Sequence, residues 1–330
     1  MKFVRTIVFI FLFTVVTIIY VYQTHLAKQA LTSLPDEVNR NVAITQADVI
    51  DRVELRDHVQ KTQIALRKDK GVWSLEVPVR YPAESQVAEG FPVAARMASQ
   101  QPRLRAEKEW EEYGLATPEL EITFVLSGKK PATLLLGAKT PIGKAVFARW
   151  KNERGYFLLP AEMKKMFRQS VYGLREKRLF RVPPESFRKI YVEMGAQSYQ
   201  WKKDGDDWYW LEPISKLGQK ISDEQIEPVL AVLRNLHVKE FQDNNKRSRA
   251  ELGFFMIHDL IRVESEGGKD EILYFGNEVP ERNAYYGFRE GEEVVFFMER
   301  EKVIEFFDLM RKFQAKEQGS QTDAFPNQAP

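Results

Sequence analysis

Residues 134–167 read LLLGAKTPIGKAVFARWKNERGYFLLPAEMKKMF, and residues 273–306 read LYFGNEVPERNAYYGFREGEEVVFFMEREKVIEF. Laid over one another without a gap, at a shift of 139, they share Leu134/Leu273, Gly137/Gly276, Pro141/Pro280, Ala145/Ala284, Glu153/Glu292, Phe157/Phe296, Glu162/Glu301 and Phe167/Phe306. That is eight identities in 34 positions, where composition alone gives about two. Upstream the echo continues at a shift of 135, with Lys68-Asp69 on Lys203-Asp204, Trp73 on Trp208 and Pro78 on Pro213. Pro92 meets Pro228 at 136, and Gly114 returns to 139 to meet Gly253. Small changes of shift belong in loops, which absorb insertions. The chain is a tandem duplication, with copy 1 at 48–182 and copy 2 at 183–313.

Each copy has the same coarse pattern. Three β-rich runs (49–56, 63–68, 72–77; then 187–193, 198–203, 208–211) are separated by turn residues such as Lys-Asp-Lys-Gly and Asp-Gly-Asp-Asp, which predicts antiparallel hairpins. A helix is expected at about 84–99 and 222–236, where Ile226, Val229, Leu230, Leu233 and Leu236 form one stripe, although Pro92 and Pro228 fall inside these windows. Alternation then resumes, with Ile122, Phe124 and Leu126 on one face and Ile261 and Val263 matching the first two. Strands at 145–150 and 155–159 precede a helix at 161–168, and their equivalents are 284–289, 293–298 and 299–312. The expected fold class is α+β: two copies of a mainly antiparallel sheet with segregated helices, preceded by one transmembrane helix.

That helix is read from Ile7 to Tyr22, IVFIFLFTVVTIIYVY, sixteen residues without a charge. Extended back to Phe3 it reaches about 30 Å, the thickness of a hydrocarbon core. Lys2 and Arg5 precede it and the next basic residue is Lys28, so the positive-inside rule keeps residues 1–6 in the cytoplasm and sends the bulk of the chain across, to the periplasm or cell exterior. No small-x-small cleavage site follows, so a retained signal anchor is expected at 7–22, with a stalk at 23–47. Residues 314–330, QAKEQGSQTDAFPNQAP, read as a disordered polar tail.

Composition removes several functions. There is no cysteine, hence no disulfide, thiolate catalysis or Cys-held metal. Setting Lys2 and Arg5 aside, 47 basic residues balance 47 acidic ones, so net charge does not recruit nucleic acid. His25, His58, His237 and His258 show no metal-ligand spacing, and no metal or cofactor is expected. Neither G-x-S-x-G nor a P-loop occurs; GAKTPIGKA at 137–145 has one residue too many and lacks the hydroxyl. Glu109, Glu111 and Glu112 beside Trp110 and Tyr113 resemble a sugar platform with acids nearby, but their counterpart (246–252, KRSRAEL) is mostly basic, which fits a solvated amphipathic helix better. The chain is therefore expected not to be an enzyme.

Trp73-x-Leu-x-x-Pro78, Tyr113-Gly-Leu-x-x-Pro118, Leu136-Gly-x-x-x-Pro141 and Leu174-Arg-x-Lys-x-Leu-Phe180, in that order, resemble domain-of-unknown-function family 4340, over about residues 48–313. The second copy departs from the pattern, with Met256-Ile257 where the first has Thr117-Pro118. The resemblance implies a bacterial inner-membrane protein with one N-terminal helix, often found beside gliding-motility-type ABC transporters, and brings no catalytic residues. The expected function is a membrane-anchored extracytoplasmic interaction or scaffold protein, accessory to an export or motility-associated ABC system, with a protein partner in the membrane. The alternatives are an envelope glycan- or lipid-binding module and, more remotely, a hydrolase with an unrecognised site.

Candidate contact residues come from two places. The link 174–189, LREKRLFRVPPESFRK, carries six basic and two acidic side chains and offers Arg175, Lys177, Arg178 and Arg181 to an acidic partner. The Trp208-Tyr209-Trp210 run puts Tyr209 on the face opposite the two tryptophans, so that either Tyr209 or Trp210 is open to a glycan or partner. Trp73, Pro78, Gly114, Gly137 and Pro141 in copy 1, and Trp208, Pro213, Gly253, Gly276 and Pro280 in copy 2, are structural marks of the repeat. The glycines are expected at positive φ or at close backbone approach.

Overall fold

A computed structural model describes residues 44–322 apart from 107, 255–258 and 269, with side chains as far as Phe313. The cytoplasmic segment 1–6, the anchor 7–22, the stalk up to residue 43, His25, Met256-Ile257, His258 and the end of the tail at 323–330 lie outside the described residues. Among the described residues no helix is long and apolar enough to cross a membrane.

The chain divides into two units between Glu176 and Lys177, six residues earlier than the sequence boundary. The first contains β1 (Ile50–Asp57), β2 (Thr62–Asp69), β3 (Val72–Val77), the short β4 (Tyr81–Pro82), helix α1 (Ser85–Ser99), β5 (Leu104–Arg105), β6 (Leu120–Leu126), β7 (Ala132–Lys139), β8 (Ala145–Trp150), β9 (Gly155–Pro160), α2 (Ala161–Phe167) and α3 (Val171–Leu174). Its single sheet runs β4-β3-β2-β1-β6-β7-β8-β9-β5. The second contains β10 (Phe187–Met194), β11 (Gln197–Asp204), β12 (Asp207–Glu212), α4 (Asp223–Asn235), β13 (Val238–Phe241), β14 (Leu260–Ser265), β15 (Asp270–Val279), β16 (Ala284–Arg289), β17 (Val295–Glu299) and α5 (Arg300–Thr322). Its sheet runs β12-β11-β10-β14-β15-β16-β17-β13. Strand for strand this is the order of the first sheet without β4, whose place is taken by a single bridge, Tyr209 to Lys220. The mainly antiparallel α+β class and the duplication therefore stand.

The copies also share their irregularities. β1 slips register against β6 between Ile50 and Arg52, and β10 slips against β14 between Phe187 and Lys189, a shift of 137. β7 slips against β8 between Leu136 and Lys139, and β15 against β16 between Phe275 and Glu278, at 139. Pro78 and Pro213 both follow cis peptide bonds. The step from 137 to 135 has a simple cause: residues 58–61 join β1 to β2, whereas Gly195-Ala196 alone join β10 to β11.

One face of each sheet is covered by helices. In unit 1, Ala88, Phe91, Ala95 and Ala98 of α1 meet Val53, Leu66, Trp73, Phe124, Leu134, Trp150 and Phe157. α1 runs through Pro92 and α4 through Pro228. Each proline forfeits one helical hydrogen bond, and the apolar stripe buried around it holds the helix. In unit 2, Val303, Phe306, Met310 and Phe313 of α5 are buried over the sheet. α5 extends to Thr322, so residues 314–322, expected as disordered tail, continue a helix.

The four glycines of the repeat signature mark one backbone contact in each copy. Gly137 and Gly276 sit within β7 and β15, and a Cβ there would lie 2.3 Å from the Tyr113 carbonyl oxygen and 2.4 Å from that of Leu252, respectively. The same carbonyls accept hydrogen bonds from the next strand residues, Ala138 and Asn277, both at 2.9 Å. Gly114 and Gly253, at φ +65 and +89, face those strand residues from the loop side. The loop thereby seats Tyr113 and Leu115 on Leu135, and Leu252 among Phe288 and Val295, covering part of the open face of each sheet. The Glu109–Tyr113 segment expected as a helix consists of turns.

Candidate functional site

Of the six predicted contact residues Trp210 and Arg175 are buried, Tyr209, Lys177 and Arg181 are half-buried, and Arg178 is exposed. Trp210 is 3% exposed. It packs edge-on against Trp201 at 5.5 Å and Phe313 at 5.5 Å, with Tyr199 at 6.5 Å. Copy 1 has Leu75 and Leu66 where copy 2 has Trp210 and Trp201, so this is core filled by larger side chains beneath a longer helix. Trp73 and Trp208 are buried as expected, and Tyr209 lies half-exposed on the opposite face. The basic link is partly consumed internally. Arg175 is 1% exposed and lies 4.3 Å from the Tyr81 ring centroid. Arg181 is bound to Glu292, Arg188 to Glu266 and Lys189 to Glu264. The Arg178 carbonyl accepts from Arg289 at 2.7 Å, and Val238 donates to the Lys177 carbonyl at 2.7 Å. The basic patch expected at 174–189 is thus corrected in part: Arg175 is buried and Arg181, Arg188 and Lys189 are ion-paired, while Lys177 and Arg178 enter those two hydrogen bonds through their carbonyls. Only Arg178 is fully exposed among the four residues proposed.

Two arrangements that the sequence did not signal remain. The first is a clasp where the described chain begins. Ile44 is buried and its N–H donates to Ser99 Oγ at 3.0 Å. Arg96 donates to the carbonyls of Thr45 and Asp48 at 3.3 and 3.1 Å. Asp48 accepts from the Thr45 N–H and hydroxyl at 2.8 and 2.9 Å and pairs with Lys129 at 2.5 Å. The Lys129 ammonium, then the Thr45 N–H, lower the Asp48 carboxyl to about 2. α1 and the β6–β7 hairpin are thus both fastened to residues 44–48.

The second is a groove of about 640 Å³ in copy 2, between the loop after β13 and the turn after β15. Val279 and Phe297 are buried in its floor, with Tyr286 beside them at 4.9 Å from the Phe297 ring. Asp243, Asn244, Asn245, Lys246 and Arg247 form one wall, Glu281 and Arg282 the other. Asn245 braces its loop by bonding the Arg247 carbonyl and N–H at 3.0 and 3.2 Å. Lys239 braces the opposite turn by donating to the carbonyls of Arg282 and Asn283 at 2.8 and 3.1 Å. Arg247 leans on the Tyr286 hydroxyl at 3.4 Å. A smaller hollow of about 430 Å³ on the open sheet face is lined by groups that already satisfy each other, such as Lys189 with Glu264 at 2.7 Å and Tyr191 with Glu193 at 3.0 Å.

Among the described residues no cluster of three or more His, Asp or Glu is arranged to hold a metal. His58 faces Glu121 at 3.5 Å, and His237 Nδ1 lies 2.9 Å from the Asn235 carbonyl. Two charge clusters are structural: Arg103 and Glu153 form a buried ion pair, and Lys164 bonds the Gly137 carbonyl at 2.7 Å and Glu119 at 2.8 Å, while Arg168 bridges Glu119 and Asp57 at 3.0 and 2.6 Å. Burial raises the Glu119 carboxyl, but the hydrogen bonds from Lys164 and Arg168 outweigh it and hold it below its ordinary value. Copy 2 has Val303 and Phe307 where these two cations stand, so the cluster replaces apolar packing in one copy only.

Fold and surfaces together define a duplicated antiparallel α+β protein with a braced polar groove in its second copy. The chain belongs to the family described as a domain of unknown function, DUF4340, whose model matches residues 73–254, more than half the chain. That span takes in Trp73, the Tyr113-Gly114 step, Gly137 and the Leu174–Phe180 link, and ends just past Gly253. No curated protein and no solved structure matches the chain significantly.

Proposed function

We propose that this protein is a membrane-tethered, extracytoplasmic binding module that serves as an accessory or scaffold rather than as a catalyst. The observation that carries this reading is the clasp at residues 44–48. A charge-free run at 7–22 precedes it in the sequence, and the first of the described residues are fixed to a helix and a hairpin. An anchor carried on the same chain raises the effective concentration of the body near a membrane partner. An ABC-type export or motility-associated transporter is the partner class expected from the family resemblance.

The absence of cysteine makes the topology directly testable. Ile214→Cys, at a side chain 84% exposed, introduces a single thiol. It reacts with a membrane-impermeant maleimide on intact spheroplasts if the reading holds. Labelling only after lysis refutes an extracytoplasmic body. Crosslinking, detergent extraction and mass spectrometry of companions then tests the partner. Recovery of transporter permease subunits supports the accessory role, and a membrane-anchored protein recovered alone counts against it.

A further inference from the structure

We infer that the groove of copy 2 is a binding site for a short, neutral saccharide. Its volume of about 640 Å³ is that of a small-ligand site. It offers what a polyhydroxylated ligand needs. Tyr286 is half-exposed where it rests on Phe297, so part of its ring can meet sugar C–H groups, and donors and acceptors stand close together around it. Asn244, Lys246, Glu281 and Arg282 line the groove, and their side chains have no hydrogen-bond or ion-pair partner among the described residues, so these polar groups are open to a ligand. The charge is balanced. Glu240, Asp243 and Glu281 offset Lys246, Arg247 and Arg282, which gives no net attraction for an anion or a cation. The site is braced in advance by Asn245 and Lys239, which reduces the ordering cost of binding.

Copy 1 serves as an internal control. Phe147 stands where copy 2 has Tyr286, and Leu158, 38% exposed, where copy 2 has Phe297. Phe147 packs edge-on against Tyr113 at 5.0 Å and Tyr156 at 5.7 Å, as Tyr286 packs on Phe297, so the two positions differ in the hydroxyl and in the polar side chains beside it. The aromatic floor with a phenol hydroxyl therefore belongs to copy 2 alone, although the backbone beneath it is shared. The inference does not depend on the anchor or on a transporter partner.

The test uses the full chain in detergent and saturation-transfer NMR against three tetrasaccharides: β-1,4-linked N-acetylglucosamine, β-1,4-linked glucose and α-1,4-linked glucose. At least one is expected to receive saturation at its ring C–H positions. Tyr286→Ala should weaken that binding by about tenfold or more, and the Glu281→Ala/Arg282→Ala pair by several-fold. Tyr286→Phe, which installs the residue that copy 1 carries, should cost only about two- to fivefold, since it keeps the ring and loses the hydroxyl. Thermal melts of each variant separate a lost site from a lost fold. No transfer from any of the three at about 10 mM overturns the inference, as does equal binding by a folded Tyr286→Ala. Binding that vanishes between about 50 and 500 mM NaCl also overturns it, because that marks a charged ligand.

Discussion

Replacing Gly137 by alanine tests the account of the fold at its narrowest point. The new methyl would sit 2.3 Å from the Tyr113 carbonyl oxygen and 2.8 Å from that of Gly114, both backbone atoms that no rotamer change can move. An ordinary carbon–oxygen contact needs about 3.2 Å, so the loop must retreat by most of an ångström. Retreat stretches the 2.9 Å bond from Ala138 N–H to Tyr113 and lifts Tyr113 and Leu115 from Leu135. An overpacked site costs about 1–3 kcal/mol, and a buried N–H left unpaired a similar amount. The sum is about 2–6 kcal/mol, or a fall in melting temperature on the order of 10 °C for a unit of this size. Thermal unfolding of the full chain, followed by circular dichroism, measures it. Two glycines supply the scale. Gly143→Ala, at φ +76 with nothing within 4 Å, meets only left-handed strain of about 1–2 kcal/mol. Gly90→Ala, inside α1 with Met166 Sδ at an ordinary 3.9 Å, should stabilise by about 0.5–1 kcal/mol. If Gly137→Ala melts within about 2 °C of the parent, or no lower than Gly143→Ala, the close-approach explanation of the repeat signature is wrong.

Further outcomes follow from the same structure. Trp210→Ala should cost about 3–5 kcal/mol in chemical denaturation, as a core truncation does, and a near-neutral result would return Trp210 to the surface. Glu153→Gln should destabilise by about 3 kcal/mol, because Arg103, itself 6% exposed, would be left as a buried unmatched cation; an unchanged denaturation midpoint would deny that the pair matters. Asp48 is depressed from 3.8 to about 2, so its contribution is fully present above pH 4 and is lost as the pH falls through 2. Acid titration of the parent against Asp48→Asn should therefore converge between pH 4 and 2; a constant gap down to pH 2 would remove the Lys129 pairing from the account. Lys129→Ala should shrink that pH-dependent difference and lower neutral-pH stability by the same amount, about 1 kcal/mol, since the lysine is itself exposed and the Thr45 N–H and hydroxyl still bond Asp48.

The duplication was legible because what the copies share is what the backbone requires. Gly137 and Gly276 remain glycine since any Cβ strikes a carbonyl. Phe157, Phe296, Phe167 and Phe306 remain apolar since they fill the same positions under the helices. Strand positions could be read from period-two alternation, and Val72–Val77, Ala145–Trp150 and Ala284–Arg289 fall where that alternation puts them. The 137 shift of β1 onto β10 escaped because that strand pair aligns by register and bulge, with no identity in the sequence to announce it. The contact surfaces were illegible for a different reason. A run such as LREKRLFRVPPESFRK shows its charges but not their partners, and Glu292, Glu264 and Glu266, which neutralise it, lie far along the chain. Aromatic density misled in the same way: Trp210 and Trp201 are large because α5 carries Phe313 to them, a pairing set by tertiary structure.

The difference between the copies points to function more directly than their likeness. A position retained in both copies answers to the fold they share, whereas a divergence on that common backbone has no such explanation. Where copy 1 sets Lys164 and Arg168 against Asp57 and Glu119, copy 2 has apolar Val303 and Phe307, so one copy carries a charged lock that the architecture does not need. Where copy 1 closes Phe147 under Tyr113 and Tyr156, copy 2 leaves Tyr286 beside open polar side chains. Copy 1 is also the one whose first residues are clasped, at Ile44 and Asp48, to its own helix and hairpin. This division makes a discriminating prediction. Exchanging the two groove positions in copy 2 for their copy 1 counterparts, Tyr286→Phe with Phe297→Leu, should leave folding close to the parent, because the shared backbone already tolerates those residues in copy 1. The same exchange should weaken saccharide binding by at least as much as Tyr286→Phe alone, without altering the pH response set by Asp48. If folding collapses instead, the two surfaces are not independent elaborations of one scaffold, and the assignment of separate tasks to the copies fails.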